Sequence, residues 1–200
     1  MNASEPIAAC WPHLNATSAA DAEFWTEAEL YRHADEELQR WARSGPVFVE
    51  PASINLIAGQ GRYALPERHQ VTVDATALGR ALRQGGVAEF FAGDELWATR
   101  TEEQPEYYAQ DEIGLGGVTL YPAPLDAATD GLRLVYAQAP VEVTSGSPTV
   151  TCPDALKDGL MFAALAGARV KETPGAQPDV ADWCAGVAGM YRQLVSEVWG

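Results

Sequence analysis

The chain has 200 residues, of which 28 are acidic and 13 are basic, so its formal net charge at pH 7 is −15. A chain of this length can bury a hydrophobic core without disulfides or metals, and it fits one domain, or a domain with an insertion, better than two independent domains. The excess of acid excludes sequence-independent binding to duplex DNA, because the phosphates would be repelled.

The cysteines and the first residues indicate a cytoplasmic protein. Cys10, Cys152 and Cys184 are odd in number and far apart, which is typical of free thiols in a reducing compartment. Residues 1–9 lack the basic region of a signal peptide. No apolar run approaches the ~20 residues that span a bilayer, so we expect a soluble protein without membrane contact.

Residues 1–23 are predicted to form an N-terminal arm. They are small and polar, contain Pro6 and Pro12, and show no periodicity around the isolated Trp11. We therefore expect an extended or loosely held segment, of the kind that becomes ordered on a partner.

The first predicted helix spans residues 24–45. Thr26 and Glu29 have the spacing of a capping box, and Trp25 and Leu30 occupy the positions of a hydrophobic staple. Apolar residues then recur at three-and-four spacing until a Gly-Pro pair ends the pattern. The apolar face of this helix is predicted to pack in a core.

Residues 46–151 are predicted to be an inserted, β-rich region of antiparallel strands, because β-branched and aromatic residues recur there in short runs between turn residues. The strand candidates are 47–49, 54–57, 62–66, 71–75, 118–121, 132–136 and 141–144. The glycines at 59 and 61 predict a hairpin between the second and third runs, and residues 77–83 predict a short helical turn. Residues 87–101 predict either a strand pair or a strand followed by a helical turn.

The centre of this region is the tyrosine-rich and proline-rich stretch of residues 105–140. The runs 118–121 and 132–136 are predicted to pair with each other as a central hairpin. The first of these strands is expected either to end at Tyr121 or to have Pro122 at a sheet edge, because proline cannot donate a hydrogen bond to the ladder.

Residues 152–200 predict two helices that complete a bundle with the helix at 24–45. Pro153 suits the first turn of one helix, and after Pro178 the last helix carries large apolar residues on one side. These are Val180, Trp183, Val187, Met190 or Tyr191, Leu194 and Val198. The predicted fold class is α+β, a helical bundle built from N- and C-terminal helices with an inserted antiparallel β-rich region.

Most of the known catalytic and cofactor motifs are missing. His13, His33 and His69 have no second ligand residue at metal-site spacing, so no metal site is predicted. The glycine clusters lack the lysine and hydroxyl of a phosphate loop and the strand-to-helix setting of a dinucleotide site. Cys184 lies within the apolar pattern of a helix, where an unreactive buried thiol is expected. We therefore predict no cofactor.

One acidic cluster remains as a candidate for chemistry. It consists of Glu102, Glu103, Glu106, Asp111 and Glu112. Paired carboxylates serve as acid and base in glycosidases when their environments separate their pKa values, and acidic clusters also bind calcium. The polar neighbours of this cluster favour a solvated loop. A glycan-acting hydrolase that uses Glu102 to Glu112 is the alternative function, and a small ligand-binding module is the third.

The order of several motifs along the chain carries a family resemblance. The motifs are residues 48–57, Gly61-Arg62-Tyr63-Ala64-Leu65-Pro66, Pro105-Glu106-Tyr107-Tyr108, Leu120-Tyr121-Pro122-Ala123-Pro124, residues 132–140, and Cys152-Pro153-Asp154-Ala155-Leu156-Lys157-Asp158-Gly159-Leu160. In this order, and enclosed by helices over residues 24–198, the chain resembles the head-to-tail adaptor (connector) proteins of tailed bacteriophages.

The resemblance implies a non-enzymatic virion protein that forms a homo-oligomeric ring under the portal, usually a dodecamer. The implied partners are the portal protein, a tail or nozzle (tail-completion) protein and further copies of the same chain. DNA would pass through the ring without specific binding, which agrees with the acidic composition. The implied location is the virion neck, after assembly in the cytoplasm of the bacterial host.

A ring also needs side-to-side contacts, for which exposed aromatic residues and the small-residue faces of helices are candidates. The candidate interface residues are Trp11, Phe90, Phe91, Trp97, Tyr107, Tyr108 and Trp199, and the candidate channel-facing acids are Glu102, Glu103, Glu106, Asp111 and Glu112. Adaptors often dock the portal through a C-terminal tail, whereas the last helix here is predicted to run to Trp199 and Gly200. The helix end, the N-terminal arm and the loop at 90–101 remain alternatives for that contact.

Overall fold

The computed structural model describes residues 2, 4–14, 25–110, 116–144, 153–170 and 177–199, without the side chain of residue 199. The helices of these ranges are α1 (Ser4–Cys10), α2 (Glu27–Ser44), α3 (Val87–Gly93), α4 (Lys157–Val170) and α5 (Pro178–Trp199). Short 3-10 helices follow α1 at Trp11–Leu14 and precede α4 at Asp154–Leu156. Over the described ranges, no helix combines the length and the apolar character needed to cross a membrane.

The described residues between α2 and α4 include ten β-strands. They are β1 (Val49–Leu56), β2 (Arg62–Ala64), β3 (His69–Ala77), β4 (Arg80–Ala81), β5 (Arg83–Gln84), β6 (Thr101–Glu102), β7 (Tyr107–Gln110), β8 (Gly117–Tyr121), β9 (Ala123–Pro124) and β10 (Ala128–Gln138). The fold class is therefore α+β, and the prediction from the sequence is confirmed.

The chain divides into two compact units, each with its own core. Unit 1 comprises residues 1–48 and 139–200, and unit 2 comprises residues 49–138. Unit 1 contains α1, α2, α4 and α5, whereas unit 2 contains α3 and the strands. The chain thus leaves the helical unit after α2 and returns to it after β10.

Helix α2 begins as its sequence predicts and supplies the centre of the core of unit 1. The Thr26 hydroxyl accepts a hydrogen bond from the Glu29 N–H at 3.2 Å, and the Glu29 carboxylate accepts one from the Thr26 N–H at 3.0 Å. This capping box satisfies two donors that the first turn would otherwise leave open. The apolar face of the helix is buried, and Leu30 and Trp41 have no exposed surface.

The N-terminal segment is folded where it is described, so the prediction of an extended arm over residues 1–23 is wrong for residues 4–14. Helix α1 and the 3-10 helix after it contribute Ile7, Cys10, Trp11 and Leu14 to the core of unit 1. Pro6 and Pro12 stand in the first turns of these two helices, where a missing N–H costs no hydrogen bond. Residues 15–23 lie outside the described ranges.

Residues 141–144 also differ from the prediction, because they belong to unit 1 and add no strand to a sheet. Val143 is buried in the helical core, and its N–H donates to Asp35 Oδ1 of α2 at 2.9 Å. A side chain of α2 thus replaces the strand partner that the β-branched run suggests. The inserted unit ends at residue 138, whereas the predicted insertion extends to residue 151.

Unit 2 is a small β-sandwich. One sheet has the strand order β1-β10-β3-β4, the other has β2-β8-β7-β5, and β6 and β9 form a two-stranded parallel pair. Neighbours in the two larger sheets are antiparallel except for β5 and β7. Their inner faces share one core, formed by Leu56, Tyr63, Ala75, Ala77, Leu82, Tyr108, Val118, Leu120, Leu132 and Leu134.

The predicted hairpins are absent from the described strands. β8 and β10, expected to pair, lie in different sheets, because β8 pairs with β2 and β7 while β10 pairs with β1 and β3. The turn at Gly59 likewise leads from β1 in one sheet to β2 in the other. In a sandwich the chain can cross between sheets after each strand, so sequence neighbours need not be hydrogen-bonded neighbours.

Two shorter predictions in unit 2 need correction. Residues 77–83 form no helical turn; instead Leu78 and Gly79 take left-handed φ angles of 51° and 80°, and the tight turn folds β3 back onto β4. Residues 87–93 form helix α3, although a strand was expected to begin at 87. The end of β8 at Tyr121 does agree with the prediction from Pro122, and the Tyr121–Pro122 peptide bond is cis.

Candidate assembly surface

Helix α5 is apolar on two adjacent faces, and only one of them is buried in unit 1. The inner face consists of small or compact residues, Ala181, Cys184, Ala188 and Val195, each no more than 2 % exposed. The outer face carries Val180, Trp183, Val187, Met190, Leu194 and Val198, which we call the α5 stripe. Trp183 is 61 % exposed and Met190 is 70 % exposed. The larger side chains of the helix therefore face solvent.

This arrangement follows from the packing of α5 against α4. Gly159 of α4 lies so close to α5 that a Cβ atom there would meet Tyr191 Cγ at 2.7 Å. A close helix contact needs small residues, and the alanines of the inner face provide them on the α5 side. The α5 stripe lies about a quarter turn around the helix from the buried face. Among the described elements of unit 1, only Phe162 and the residues of the neighbouring groove contact it.

A groove runs along one margin of the α5 stripe. It has a volume of about 740 Å³ and is lined by Ala155, Val187, Met190, Tyr191, Gln193, Leu194 and Glu197. Nearer the start of α5, the Trp183 ring packs edge-on against Phe162 of α4, with a centroid distance of 5.4 Å and an interplanar angle of 87°. The stripe thus offers both a concave apolar site and a fixed aromatic side chain, which are features of protein-binding surfaces.

The opposite side of α5 contains a buried ionic contact. Glu37 of α2 has no exposed surface, and its carboxylate lies 3.0 Å from Arg40 Nη1 and 2.8 Å from Arg192 Nε of α5. A second groove of about 350 Å³ lies beside this contact, between α2, α4 and α5. A buried carboxylate needs such pairing because desolvation disfavours its charge. The contact therefore joins α2 to α5 and holds the α5 stripe in place.

A buried arginine fixes the C-terminal end of α4. The Arg169 guanidinium donates hydrogen bonds to the His13 carbonyl and to Gln177 Oε1, and it lies over the Trp25 ring with 5.9 Å between Cζ and the ring centroid. The Trp25 indole N–H in turn donates to the Ala168 carbonyl at 2.9 Å. These contacts attach the N-terminal residues His13 and Trp25 to the C-terminal end of α4.

The predicted interface aromatics divide into buried and accessible residues. Trp11, Phe90 and Tyr108 are at most 6 % exposed, so they stabilise their own units and are not available to a partner. Trp97 and Tyr107 are half-buried, and Phe91 is exposed. The side chain of Trp199, the remaining candidate, lies outside the described part of the structure.

Phe90 is the centre of an aromatic cluster in unit 2. Its ring stacks on Tyr121 at 5.1 Å between centroids and contacts Tyr107 at 6.1 Å and Trp97 at 6.2 Å. The next residue, Phe91, points away from the cluster and is 63 % exposed. Because consecutive helical residues are about 100° apart, only one of two adjacent phenylalanines on α3 can face the sheet.

Part of the acidic cluster is in a surface ion-pair network. Arg100 lies 2.9 Å from Glu102 Oε1 and 3.2 Å from Asp94 Oδ2, which also accepts a hydrogen bond from the Tyr121 hydroxyl at 3.1 Å. The Leu96 N–H and the Arg100 guanidinium lower the pKa of Asp94. Burial and the neighbouring Asp94 raise the pKa of Tyr121. Glu102 is thus engaged as a structural ion-pair partner.

Glu103 and Glu106, the other described acids of the cluster, face solvent. The general acid of a glycosidase requires apolar surroundings, which a solvated carboxylate does not have. Asp111 and Glu112 lie outside the described ranges. Among the described residues, no three His, Cys, Asp or Glu side chains are grouped closely enough to hold a metal ion.

The apolar residues of α5 are evident from the sequence, but they are not among the predicted interface residues. The sequence does indicate a second apolar surface on this helix. Its apolar positions cover about half of the circumference, which is more than a single buried face requires. The predicted interface residues lie mostly in the β-rich region, where Phe90 and Tyr108 are buried.

Comparison with known proteins gives one family assignment. The family model of the SU10 adaptor protein family, described as SU10 adaptor protein, matches residues 1–195. No curated protein matches the chain at a significant level of sequence similarity.

Proposed function

The chain belongs to the SU10 adaptor protein family, and from this premise we propose that it is a structural protein of a bacteriophage virion that joins the head to the tail. The single observation that supports this function best is the match of the family over residues 1–195, which includes both compact units. In this proposal the protein has no enzymatic role and is located in the virion neck.

The proposed assembly is a homo-oligomeric ring, a dodecamer, that contacts the portal protein on one side and a tail or nozzle protein on the other. A formal charge of −15 per chain supports a role at the DNA channel, since a ring of acidic chains does not adhere to the phosphates that pass through it. Glu103 and Glu106 face solvent and are the described acids best suited to face that channel. In this proposal the ring also determines whether the channel is open or closed to DNA.

The exposed carboxylates support this structural function over the alternative of a glycan-acting hydrolase. A hydrolase would need Glu106, Glu103 or Glu102 in a concave, partly dehydrated site, whereas the first two are solvated and Glu102 is paired with Arg100. A substitution that keeps shape but removes charge, Glu106→Gln, is expected to leave particle assembly intact. Loss of a glycan-cleaving activity in that variant, with normal assembly, would instead support the hydrolase.

The direct test is to stop production of this chain during infection with an amber codon and to examine the particles by electron microscopy. The expected result is DNA-filled heads without attached tails, restored by a plasmid that supplies the wild-type chain. Mass spectrometry and image reconstruction of complete particles are expected to find the chain at the neck as a ring. Normal tailed particles that lack the chain would overturn the proposed function.

A further inference from the structure

The α5 stripe is an uncharged surface on a strongly acidic protein. Helix α5 carries four charged residues, Asp179, Asp182, Arg192 and Glu197. Arg192 faces Glu37 on the other side of the helix, and the three acids lie beside the stripe and not within it. From Val180 to Val198 the stripe follows five turns of helix, about 27 Å, without an intervening charge.

We propose that the α5 stripe is the surface on which a neighbouring copy of this same chain packs. The inference rests on the proposed function and specifies which face of the protein makes the side-to-side contact of the ring. The occupant of the stripe and of the groove beside it is therefore a second copy of the chain, not the portal and not a tail protein.

The exposed area of the stripe suits such a contact. Its side chains leave on the order of 500 Å² of largely apolar surface to water, near the upper limit of the largest patch on a typical monomer. A stable interface buries about 800 Å² on each partner, with an apolar centre and a polar rim. The stripe supplies that apolar centre, and the Gln193 and Glu197 side chains at the groove supply part of the rim.

Charge selects a second copy as the occupant. Two chains that each carry a formal charge of −15 repel one another, so close packing between them is favoured where acids are scarce. The six residues of the stripe carry no charge, and Glu197 stands at the rim of the contact, where water can still solvate it. A partner chosen by electrostatic attraction to this acidic chain would instead be expected to contact acid-rich surface, such as Glu103 and Glu106 in unit 2.

A photo-crosslinking experiment on whole particles tests the assignment. Met190, the most exposed residue of the stripe, is replaced by p-benzoylphenylalanine through amber suppression, the purified particles are irradiated, and the crosslinked peptides are identified by mass spectrometry. The matched control carries the same group at Ser196, which is exposed on the other side of α5. We expect the group at position 190 to form crosslinks between two copies of the chain, and we expect the group at position 196 to form none.

Competition between variants gives a second measurement. Met190→Glu and wild-type chains are produced together, and their ratio is measured in purified particles, with Ser196→Glu as the control. A charge at the centre of the contact is expected to deplete Met190→Glu about thirtyfold, as for a central interface residue, while Ser196→Glu enters at parity. Circular dichroism of both purified variants checks that the exposed substitutions leave the fold intact.

The outcomes separate this inference from the proposed function. Incorporation of the position-190 chain with crosslinks to the portal, to a tail protein, to unit 2 of its own chain, or to nothing would overturn the α5 assignment alone. Equal incorporation of Met190→Glu would overturn it as well. Absence of the wild-type chain from the particles would overturn the proposed function and, with it, the assignment.

Discussion

Glu37 and Arg192 form an ion pair that joins α2 to α5, with 2.8 Å between Glu37 Oε1 and Arg192 Nε. The carboxylate has no exposed surface, whereas the arginine side chain is 40 % exposed. The pair therefore combines a fully desolvated acid with a base that still reaches water. Arg40, on the same helix as Glu37, pairs with the second carboxylate oxygen, with 3.0 Å between Arg40 Nη1 and Glu37 Oε2.

Replacing Arg192 by methionine is expected to destabilise unit 1. Glu37 would keep Arg40 but lose the partner on α5, and a buried carboxylate with incomplete pairing costs about 2 kcal/mol of unfolding free energy. The control is Arg32→Met, because Arg32 is 65 % exposed and lies 3.9 Å from Glu36, a surface pair expected to contribute at most about 0.5 kcal/mol. Urea unfolding followed by tryptophan fluorescence measures both, and equal midpoints for the two variants would contradict the prediction.

The close contact between α4 and α5 predicts opposite effects for two glycine substitutions. Gly159→Ala would place a methyl group 2.7 Å from Tyr191 Cγ, and the strain of overpacking, about 1–3 kcal/mol, exceeds the helix-propensity gain of about 1 kcal/mol. Gly186→Ala in α5 meets no atom within 4 Å, so only the gain remains. Thermal unfolding is expected to show a lower midpoint for Gly159→Ala and a higher one for Gly186→Ala. A stabilised Gly159→Ala variant would show that α4 can move away from α5.

The adjacent phenylalanines of α3 predict a second contrast, in unit 2. Phe90→Ala removes the ring at the centre of the aromatic cluster and is expected to cost about 3–5 kcal/mol. Phe91→Ala removes a ring that is 63 % exposed and is expected to change stability by less than about 1 kcal/mol. Hydrogen–deuterium exchange of the β7 and β8 amides, measured by mass spectrometry at increasing denaturant concentration, distinguishes the two. Similar losses for both would place Phe91 in the core.

Burial of His33 predicts that stability falls as the pH drops below neutrality. Burial lowers the pKa of His33 from its ordinary value of 6.5, although the Glu36 carboxylate 3.7 Å away acts in the opposite direction. The unfolded chain therefore binds a proton at a higher pH than the folded chain does. The contribution of His33 is complete above pH 6.5 and is lost as the pH falls through the folded pKa.

Burial also lowers the pKa of His69, so the pH dependence of stability contains contributions from both histidines. The contribution of His33 therefore needs its own measurement. Proton NMR titration of the imidazoles, with His33→Gln to assign the signal, is expected to place the His33 midpoint below 6.5. Unfolding free energies at successive pH values are expected to fall less steeply for His33→Gln than for the wild type below that pH. A titration midpoint at or above 6.5 would show that Glu36 outweighs burial.

Burial also predicts that the thiol of Cys10 is unreactive in the folded chain. Desolvation raises its pKa from 9.0 to about 12, and burial raises that of Cys184 as well. In a Cys152→Ser background, labelling by a thiol reagent at pH 8 is expected to be slow in buffer and rapid in denaturant. Labelling in buffer as fast as that of a free peptide thiol would mean that α1 detaches readily from the core.

Several features were predictable from the sequence because they depend on neighbouring residues. The capping box of Thr26 and Glu29 connects groups three residues apart, so it forms wherever that segment is helical. The end of β8 before Pro122 follows from a missing N–H donor. The family resemblance also needed only the order of motifs, and the match over residues 1–195 confirms it.

The errors concern contacts between distant residues. Val143 lies in a run that is typical of a strand, but its N–H donates a hydrogen bond to Asp35, which is more than a hundred positions away in the sequence. Trp11 is an isolated aromatic residue in the sequence, but in the fold it is buried in the core of unit 1. The pairing of β8 with β7 and of β10 with β1 could not be read from strands that are equally apolar, because their patterns fit several partners.

The sequence by itself determined the α+β class, the presence and order of the three long helices and the apolar character of half the circumference of α5. Only the tertiary structure decided which apolar half-face is buried, because that depends on the close approach of Gly159 and on the Glu37–Arg192 pair across the bundle. Hydrophobic periodicity indicates which side chains are covered from water. It does not indicate whether their own chain or a neighbouring copy covers them.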